Sequence, residues 1–329
     1  MLRVNSCQGA HDEVPVDLTR RELPHGALWI DLLDPTADEI AFVQQAAGIE
    51  VPTLAQLSEV ESTSRLRNIG EVLYLSLPVV YRDAADQGHS TPIGLILSRD
   101  RLVTVRFEEL KSFDAFRDRV NRGELARPTT VGIFVALLEA IVDRLADILE
   151  DVGGDLDSLS DRVFSGNGAA TAREKKAEDA KLRATIKRVG AKRQLISKTR
   201  ATLLGIGRVV PYVEGEGDHW LPPDAKPRLD MVKADVVSLD EYEVHLSDKI
   251  QFLLDAALGL ISIEQNDTFR VLTIVSVVGI PPTLVASMYG MNFKSMPELD
   301  WHYGYAWGLG CILVSGLIPL VYFKIKGWF

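Results

Sequence analysis

The residues best suited to chemistry lie near the C-terminus, and most of them are uncharged. Asn292 closes the run Tyr289-Gly290-Met291-Asn292 at the end of a long apolar stretch. Its side-chain carbonyl is a neutral acceptor. A ring of such oxygens takes hydrogen bonds from the first-shell waters of a hydrated cation, where a ring of carboxylates would hold the ion too strongly to release it. Gly290 permits close backbone approach at that point; the plainer reading of the same residues is a helix end with Asn as its cap. Upstream, Asn266, Phe269, Leu272, Ser276, Ile280 and Thr283 recur every three or four residues and fall near one helical stripe. Such a stripe can line a pore, with Leu272 and Ile280 as apolar rings that gate by dewetting, or it can pack against neighbouring helices. Downstream, Glu298 and Asp300 outnumber Lys294 in a short loop, giving it a net charge of −1. Repeated around a pore mouth, these carboxylates would focus a field that draws cations.

Other chemistries lack their residues. There is no GxxxxGK[ST] loop to cradle a phosphate and no HExxH, and the six histidines show no metal-site spacing. Cys7 and Cys311 form no CxxC, as expected of free thiols in a reducing compartment. Asp155, Asp157 and Asp161 begin like a calcium loop, but Leu159 and Ser160 break the ligand pattern, so a solvated helix face is expected. The sequon at Asn266-Asp267-Thr268 is read as chance. No nucleophile and base constellation points to an enzyme. Lys plus Arg number 36 against 46 Asp plus Glu, a formal charge of −10, which disfavours nucleic acid and favours cations as partners.

The elements that must position these residues begin with two apolar segments, 271–293 and 301–323, each of 23 residues without Asp, Glu, Lys or Arg. About 20 helical residues at about 1.5 Å each cover a hydrocarbon layer of about 30 Å, so both are predicted to span a bilayer. Trp301, Tyr303, Tyr305 and Trp307 gather at one end of the second segment and Tyr322, Phe323, Trp328 and Phe329 at the other, as interfacial aromatics do. Gly304 and Gly308 make a GxxxG. Arg270, Lys324 and Lys326 flank one side and Lys294 the other, which predicts cytoplasmic termini and an outer loop over 294–300. No signal or transit peptide is read in residues 1–26.

Ahead of the spans, residues 1–128 read as an α/β domain with strands over 28–33, 72–81, 93–97 and 102–107, a turn over 98–101, and a helix capped by Thr36 and Glu39. Residues 129–227 read as a helical hairpin with an acidic first arm and a basic second arm over 171–204, able to pair with each other. A bend is expected at Gly153-Gly154 and the next turn over 211–227. Residues 228–268 form a stalk helix running straight into the first span over 269–293, and the tail is 324–329. Unbroken, residues 228–290 would make a helix about 95 Å long.

Tyr289-Gly290-Met291-Asn292, taken with Glu264-Gln265-Asn266, Pro-Pro-Thr-Leu-Val-Ala over 281–286, Met-Pro-Glu-Leu over 296–299 and Lys-Ile-Lys-Gly-Trp-Phe over 324–329, resembles the CorA-type magnesium transporters, in particular the enterobacterial type. The resemblance implies an α/β cytoplasmic domain, a long helical hairpin and stalk helix, and a two-helix transmembrane domain. It also implies a homopentameric, funnel-like channel with the first span inside. It implies uptake of Mg2+, and also Co2+ and Ni2+, across a bacterial inner membrane, driven by the membrane potential and inhibited by cytoplasmic Mg2+. Gly290, Met291 and Asn292 would then be the selectivity filter. Asn266, Leu272, Ile280 and Thr283 match pore-facing positions, and Phe269 stands where the family often has another apolar residue. Asp255 matches a regulatory metal position on the stalk, with Asp83 or Asp86 as candidate partner; a second stalk carboxylate of the family is Met231 here, beside Asp230. Partners would be further copies of the chain, the lipid bilayer and divalent cations. Two other functions stay open: a ZntB-like zinc transporter, against which the Met-Pro-Glu-Leu loop speaks, and a membrane sensor or scaffold that transports nothing.

Overall fold

A computed structural model describes residues 1–5, 23–24, 26–59, 65–83, 87–123, 129–164, 172–291, 297 and 301–328. The chain divides into two compact units, Met1–Leu254 and Asp255–Phe329.

The first unit is built on a six-stranded sheet in the order β1-β2-β6-β5-β4-β3, from β1 (Leu2–Asn5), β2 (Trp29–Leu33), β3 (Leu66–Ile69), β4 (Val72–Arg82), β5 (Gly88–Leu97) and β6 (Leu102–Arg106). Only β2 and β6 pair in parallel; the other neighbours are antiparallel. The central strands read as nearly continuous apolar runs because both faces are covered. Leu73, Leu75, Leu77, Ile93 and Leu95 belong to one core with the long helices. Ile30, Leu32, Val103 and Val105 belong to a second core with Phe42 and Val43 of α1 (Ala37–Ala47). The expected capping box of α1 is present: Glu39 N–H donates to Thr36 Oγ1, and Thr36 N–H donates to Glu39 Oε2 at 2.9 Å. Gly48 ends the helix at φ +66°, a left-handed conformation that glycine adopts without strain. The turn at 98–101 is closed by Ser98 N–H on the Arg101 carbonyl at 3.0 Å. A short α2 (Leu54–Leu57) and α3 (Lys111–Asn121) complete the α/β part.

Strands β1 and β3 were not foreseen. Each has four residues at a sheet edge, too short for a period-two pattern to emerge. The interior also holds an ion pair. Arg106 Nη2 lies 2.8 Å from Asp31 Oδ2, with both side chains at most 2% exposed. Thr104 donates to Asp31, Trp29 Nε1 donates to Thr104, and the Arg106 guanidinium lies 4.7 Å from the Phe113 ring centroid. The parallel register sets Asp31 opposite Thr104, so residues remote in sequence form one satisfied polar cluster.

The helical part of this unit contains α4 (Thr130–Phe164) and α5 (Ala172–Gly217), together with the first portion of α6 (Ala225–Tyr289). Two expectations are corrected. Helix α4 runs without interruption through Gly153-Gly154. The first glycine serves packing, since a Cβ there would sit 2.6 Å from Tyr242 Oη. The turn expected over 211–227 is confined to 218–224, because α5 continues through Pro211 to Gly217. Val209, Val210 and Val213 are fully buried around that proline, and this packing outweighs the lost backbone bond. Pro227 falls in the first turn of α6, where its missing N–H costs nothing. The oppositely charged arms meet at Lys192 and Asp155. Other acids of α4 turn elsewhere: Asp151 to Arg82 of β4 at 3.1 Å, Asp157 to Lys249 of α6, and Glu139 to Arg228 of α6 at 2.8 Å. Two of the three aspartates expected to be solvated, Asp155 and Asp157, therefore hold lysines.

The second unit comprises the remainder of α6 and α7 (Gly304–Ile325). Both helices are long and apolar enough to cross a membrane. The second begins three residues later than the 301–323 segment predicted: Trp301, His302 and Tyr303 form bends and turns ahead of it. Pro281 and Pro282 lie inside α6 without ending it.

Candidate functional site

Within the second unit, α6 uses one face to pack on α7. Pro282 approaches Gly316, where a Cβ would be 3.3 Å from Cγ, and the Tyr289 ring approaches Gly308. Arg270 lies over the Trp328 ring at 5.9 Å from its centroid. Of the half-buried residues in this stretch, Arg270, Ile274, Val278, Pro281, Pro282, Val285 and Tyr289 trace this contact along the helix, and Ser276 alone lies on the opposite side. At about 100° per residue their mean direction is about 180° from that of Phe269, Leu272, Ser276, Ile280 and Thr283. The stripe picked out by spacing is thus the face turned away from α7. Asn266 lies to one side of it, exposed.

That face is apolar and open. Phe269 is 65% exposed, Leu272 60% and Ile280 63%, far more than a finished surface presents along one helix. Thr283 adds a directed oxygen. Its Oγ1 donates to the Gly279 carbonyl at 2.8 Å, so the hydroxyl proton is committed to the helix and the lone pairs remain to accept.

The helix stops where the signature begins. Tyr289 is the last helical residue, Gly290 N–H donates to the Ala286 carbonyl at 3.0 Å, and Met291 N–H donates to the Met288 carbonyl at 3.3 Å. A Cβ on Gly290 would press on the Ala286 carbonyl oxygen at 3.3 Å, so glycine suits this tight closing turn. Met291 is exposed. Asn292, Glu298 and Asp300 lie outside the described residues.

Of the regulatory candidates, Asp255 is exposed on α6, as are Asp230 and Met231. Asp83 is engaged at both oxygens: Gln87 N–H donates to Oδ1 at 2.8 Å, and His89 Nε2 lies 2.9 Å from Oδ2. Any metal taken by Asp83 would compete with these contacts at the mouth of the β4–β5 hairpin. Asp86 lies outside the described residues, among which no group of three His, Cys, Asp or Glu side chains is placed to hold a metal. Sequence reasoning missed the packing glycine Gly316; its only signal is its place in an apolar helix, which many glycines share.

Comparison with known proteins places these features. A family model described as CorA-like Mg2+ transporter protein matches residues 25–326. The chain is 31% identical over 302 residues to the magnesium transport protein CorA of Yersinia pseudotuberculosis, covering 92% of each. It is 31% identical over 316 residues to that of Escherichia coli K12, covering 94% of this chain and 96% of the relative. Among solved structures it is similar to the complete CorA magnesium transporter of Methanocaldococcus jannaschii, with a TM-score of 0.75 at 18% identity over 92% of this chain and 91% of that one. The full-length CmaX protein is more distant in fold, with a TM-score of 0.57 at 19% identity over 99% of this chain and 96% of that one. With a match across nearly its whole length, the chain belongs to the CorA-like Mg2+ transporter family.

Proposed function

We propose that this protein carries Mg2+ through a membrane along the face of α6 that points away from α7, with Asn292 at the outer end of the path. The observation that carries this reading is the opposition of the two faces: one packs on α7, and the other presents Phe269, Leu272, Ile280 and Thr283 exposed among the described residues, with Ser276 half-buried between them. Two spans cannot enclose a pore, so several copies surround it. A homopentamer is the assembly proposed, with α6 inside and α7 outside. Val237, Val244 and Leu258, exposed at multiples of seven residues along α6, suit a seam between copies.

Mg2+ surrenders its waters reluctantly. A ring of Asn292 carbonyls accepts hydrogen bonds from the hydrated ion, and Thr283 offers a second ring of acceptors. Leu272 and Ile280 close the path by excluding water when the helices draw together. The 271–291 stretch has no ionisable side chain other than Tyr289, so no carboxylate or histidine relay couples the ion to protons there. The membrane potential supplies the work, about 4.6 kcal/mol per 100 mV for a divalent ion. Glu298 and Asp300 gather cations at the outer mouth. Cytoplasmic Mg2+ bound near Asp255 holds the closed arrangement by offsetting carboxylate repulsion, and its loss releases the helices. The assembly sits in a bacterial inner membrane with both termini cytoplasmic, and Co2+ and Ni2+ follow the same path.

Reconstitution into liposomes loaded with Mg2+-sensitive dye tests this, with voltage and pH gradient set separately. Voltage-driven Mg2+ entry, abolished by Asn292→Ala and suppressed by Mg2+ on the Asp255 side, is expected. In Asp255→Ala, suppression should require more Mg2+. Zinc entry that follows the proton gradient would overturn the reading, as would absence of flux in oligomeric protein.

A further inference from the structure

The end of the second unit that carries Arg270 is more elaborately built than a topology signal requires. Arg270 is the last charged residue before the charge-free stretch of α6, and Lys324 is the first after that of α7. If the apolar stretches fill the hydrocarbon layer, both lie at headgroup depth. The chain beyond α7 then folds back on itself. Gly327 N–H donates to the Lys324 carbonyl at 3.1 Å and Trp328 N–H to the Phe323 carbonyl at 3.0 Å. Gly327 takes φ +70°, the left-handed geometry of a helix-closing turn.

This reversal stacks Trp328 on Phe323, with centroids 5.0 Å apart and planes at 21°, and Phe323 is 5% exposed. Cations meet the same aromatic cluster: the Arg270 guanidinium lies 5.9 Å from the Trp328 centroid, and Lys326 Nζ lies 5.6 Å from that of Tyr322, whose ring meets Phe323 edge-on. Trp328 therefore joins the start of one apolar segment to the end of the other. Arg270 and Lys326 each meet a ring of one aromatic cluster, and exposed Lys324 follows Phe323 in the chain. Asp267 lies 3.4 Å from Arg270 Nη1 and offsets part of the charge, leaving Arg270 and Lys326 against one carboxylate. Ile325 is 81% exposed beside them and Tyr322 55%, so the charged cluster continues into apolar surface.

We propose that this folded tail is a docking site for the headgroup of an anionic phospholipid. Arg270 and Lys326 take its phosphate, and Tyr322 and Trp328 take the glycerol region above the acyl chains. The excess of positive charge selects against zwitterionic headgroups, which bring a cation of their own. The adjoining apolar surface selects a lipid over a free phosphate ion. The inference rests on the membrane placement proposed above, and its readout is independent of ion flux.

The test uses the full-length protein in detergent with equal amounts of phosphatidylglycerol and phosphatidylcholine of identical acyl chains. Native mass spectrometry reads both the retained lipid and the assembly. Preferential retention of phosphatidylglycerol is expected. The preference should fall about fivefold for each charge removed, in Lys326→Gln and in Arg270→Gln. It should fall about threefold in Trp328→Leu, which leaves every charge in place; Lys294→Gln, at the other end of the spans, should leave it intact. Equal retention of the two lipids by the unaltered protein would overturn the proposal. So would a preference unchanged in Lys326→Gln, or unchanged in Trp328→Leu, since diffuse charge needs no aromatic shelf. Displacement by inorganic phosphate as effectively as by phosphatidylglycerol would overturn the lipid assignment. Loss of Mg2+ entry with an intact lipid preference would count against the transport reading alone.

Discussion

Thr283 shows how a single side chain is prepared for a hydrated ion. Its hydroxyl proton is spent on the Gly279 carbonyl, so the oxygen meets the ion's waters as an acceptor. Thr283→Ser keeps that bond and should keep Mg2+ entry, whereas Thr283→Val removes the oxygen at nearly constant volume and should slow entry without disturbing assembly; flux and particle size measured on the same preparations check both. Asp31 shows the opposite situation, a charge useful only for stability. It pairs with Arg106 where neither side chain is more than 2% exposed, and Asp31→Ala would leave a buried guanidinium unpaired. A loss of about 3–5 kcal/mol is expected, read as a lower denaturation midpoint of the whole protein in detergent. Asp31 was invisible beforehand because one polar residue within Trp29-Ile30-Asp31-Leu32 looks like the solvent side of a strand. Only the pairing of β2 with β6 brings in Arg106. Asn292, by contrast, is singled out by its immediate neighbours in the sequence alone, and its part in the ion path is a proposal.

At the level of elements, the apolar runs of β2, β4 and β6, the apolar half of β5 over 93–97 and the Thr36–Glu39 cap were readable because each rests on local chemistry, whereas residues 88–92 of β5 were not. The extent of α5 was not, since Pro211 is overruled by burial that no local pattern reveals. Gly153 and Gly154 make this distinction testable. Nothing lies within 4 Å of a Cβ at Gly154, whereas one at Gly153 meets Tyr242 Oη at 2.6 Å. Gly154→Ala should stabilise α4 by about 0.5–1 kcal/mol through helix propensity. Gly153→Ala should destabilise until Tyr242→Phe is added, and thermal unfolding of the four proteins shows whether the signs differ. The α1 cap carries a pH signature. Burial alone would raise the Glu39 carboxyl, but the N–H groups of Thr36 and Leu2, with the nearby N-terminal amine, bring it below its ordinary value. A lowered carboxyl contributes stability above the unfolded value and loses it as pH falls through the folded one. Glu39→Gln should therefore melt at a lower temperature at neutral pH, with the difference shrinking as the solution is acidified into that range.

Over the whole molecule, α6 continues from a large α/β and helical unit into a small apolar unit, and its face turned from α7 there is the proposed ion path. The two spans were legible from their missing charges. Which face packs on α7 was not, because Leu272 and Ile274 are equally apolar and only the contact with α7 tells them apart. The account stands on that assignment, and cysteine accessibility tests it most directly. In a Cys7→Ser, Cys311→Ser background, single cysteines placed from 269 to 285 would be treated with a water-soluble thiol reagent while Mg2+ entry into liposomes is followed. Block at 272, 276, 280 and 283, with little effect at 274, 278 and 285, is the predicted result. Block centred on 274, 278 and 285, or spread evenly around the helix, would contradict it.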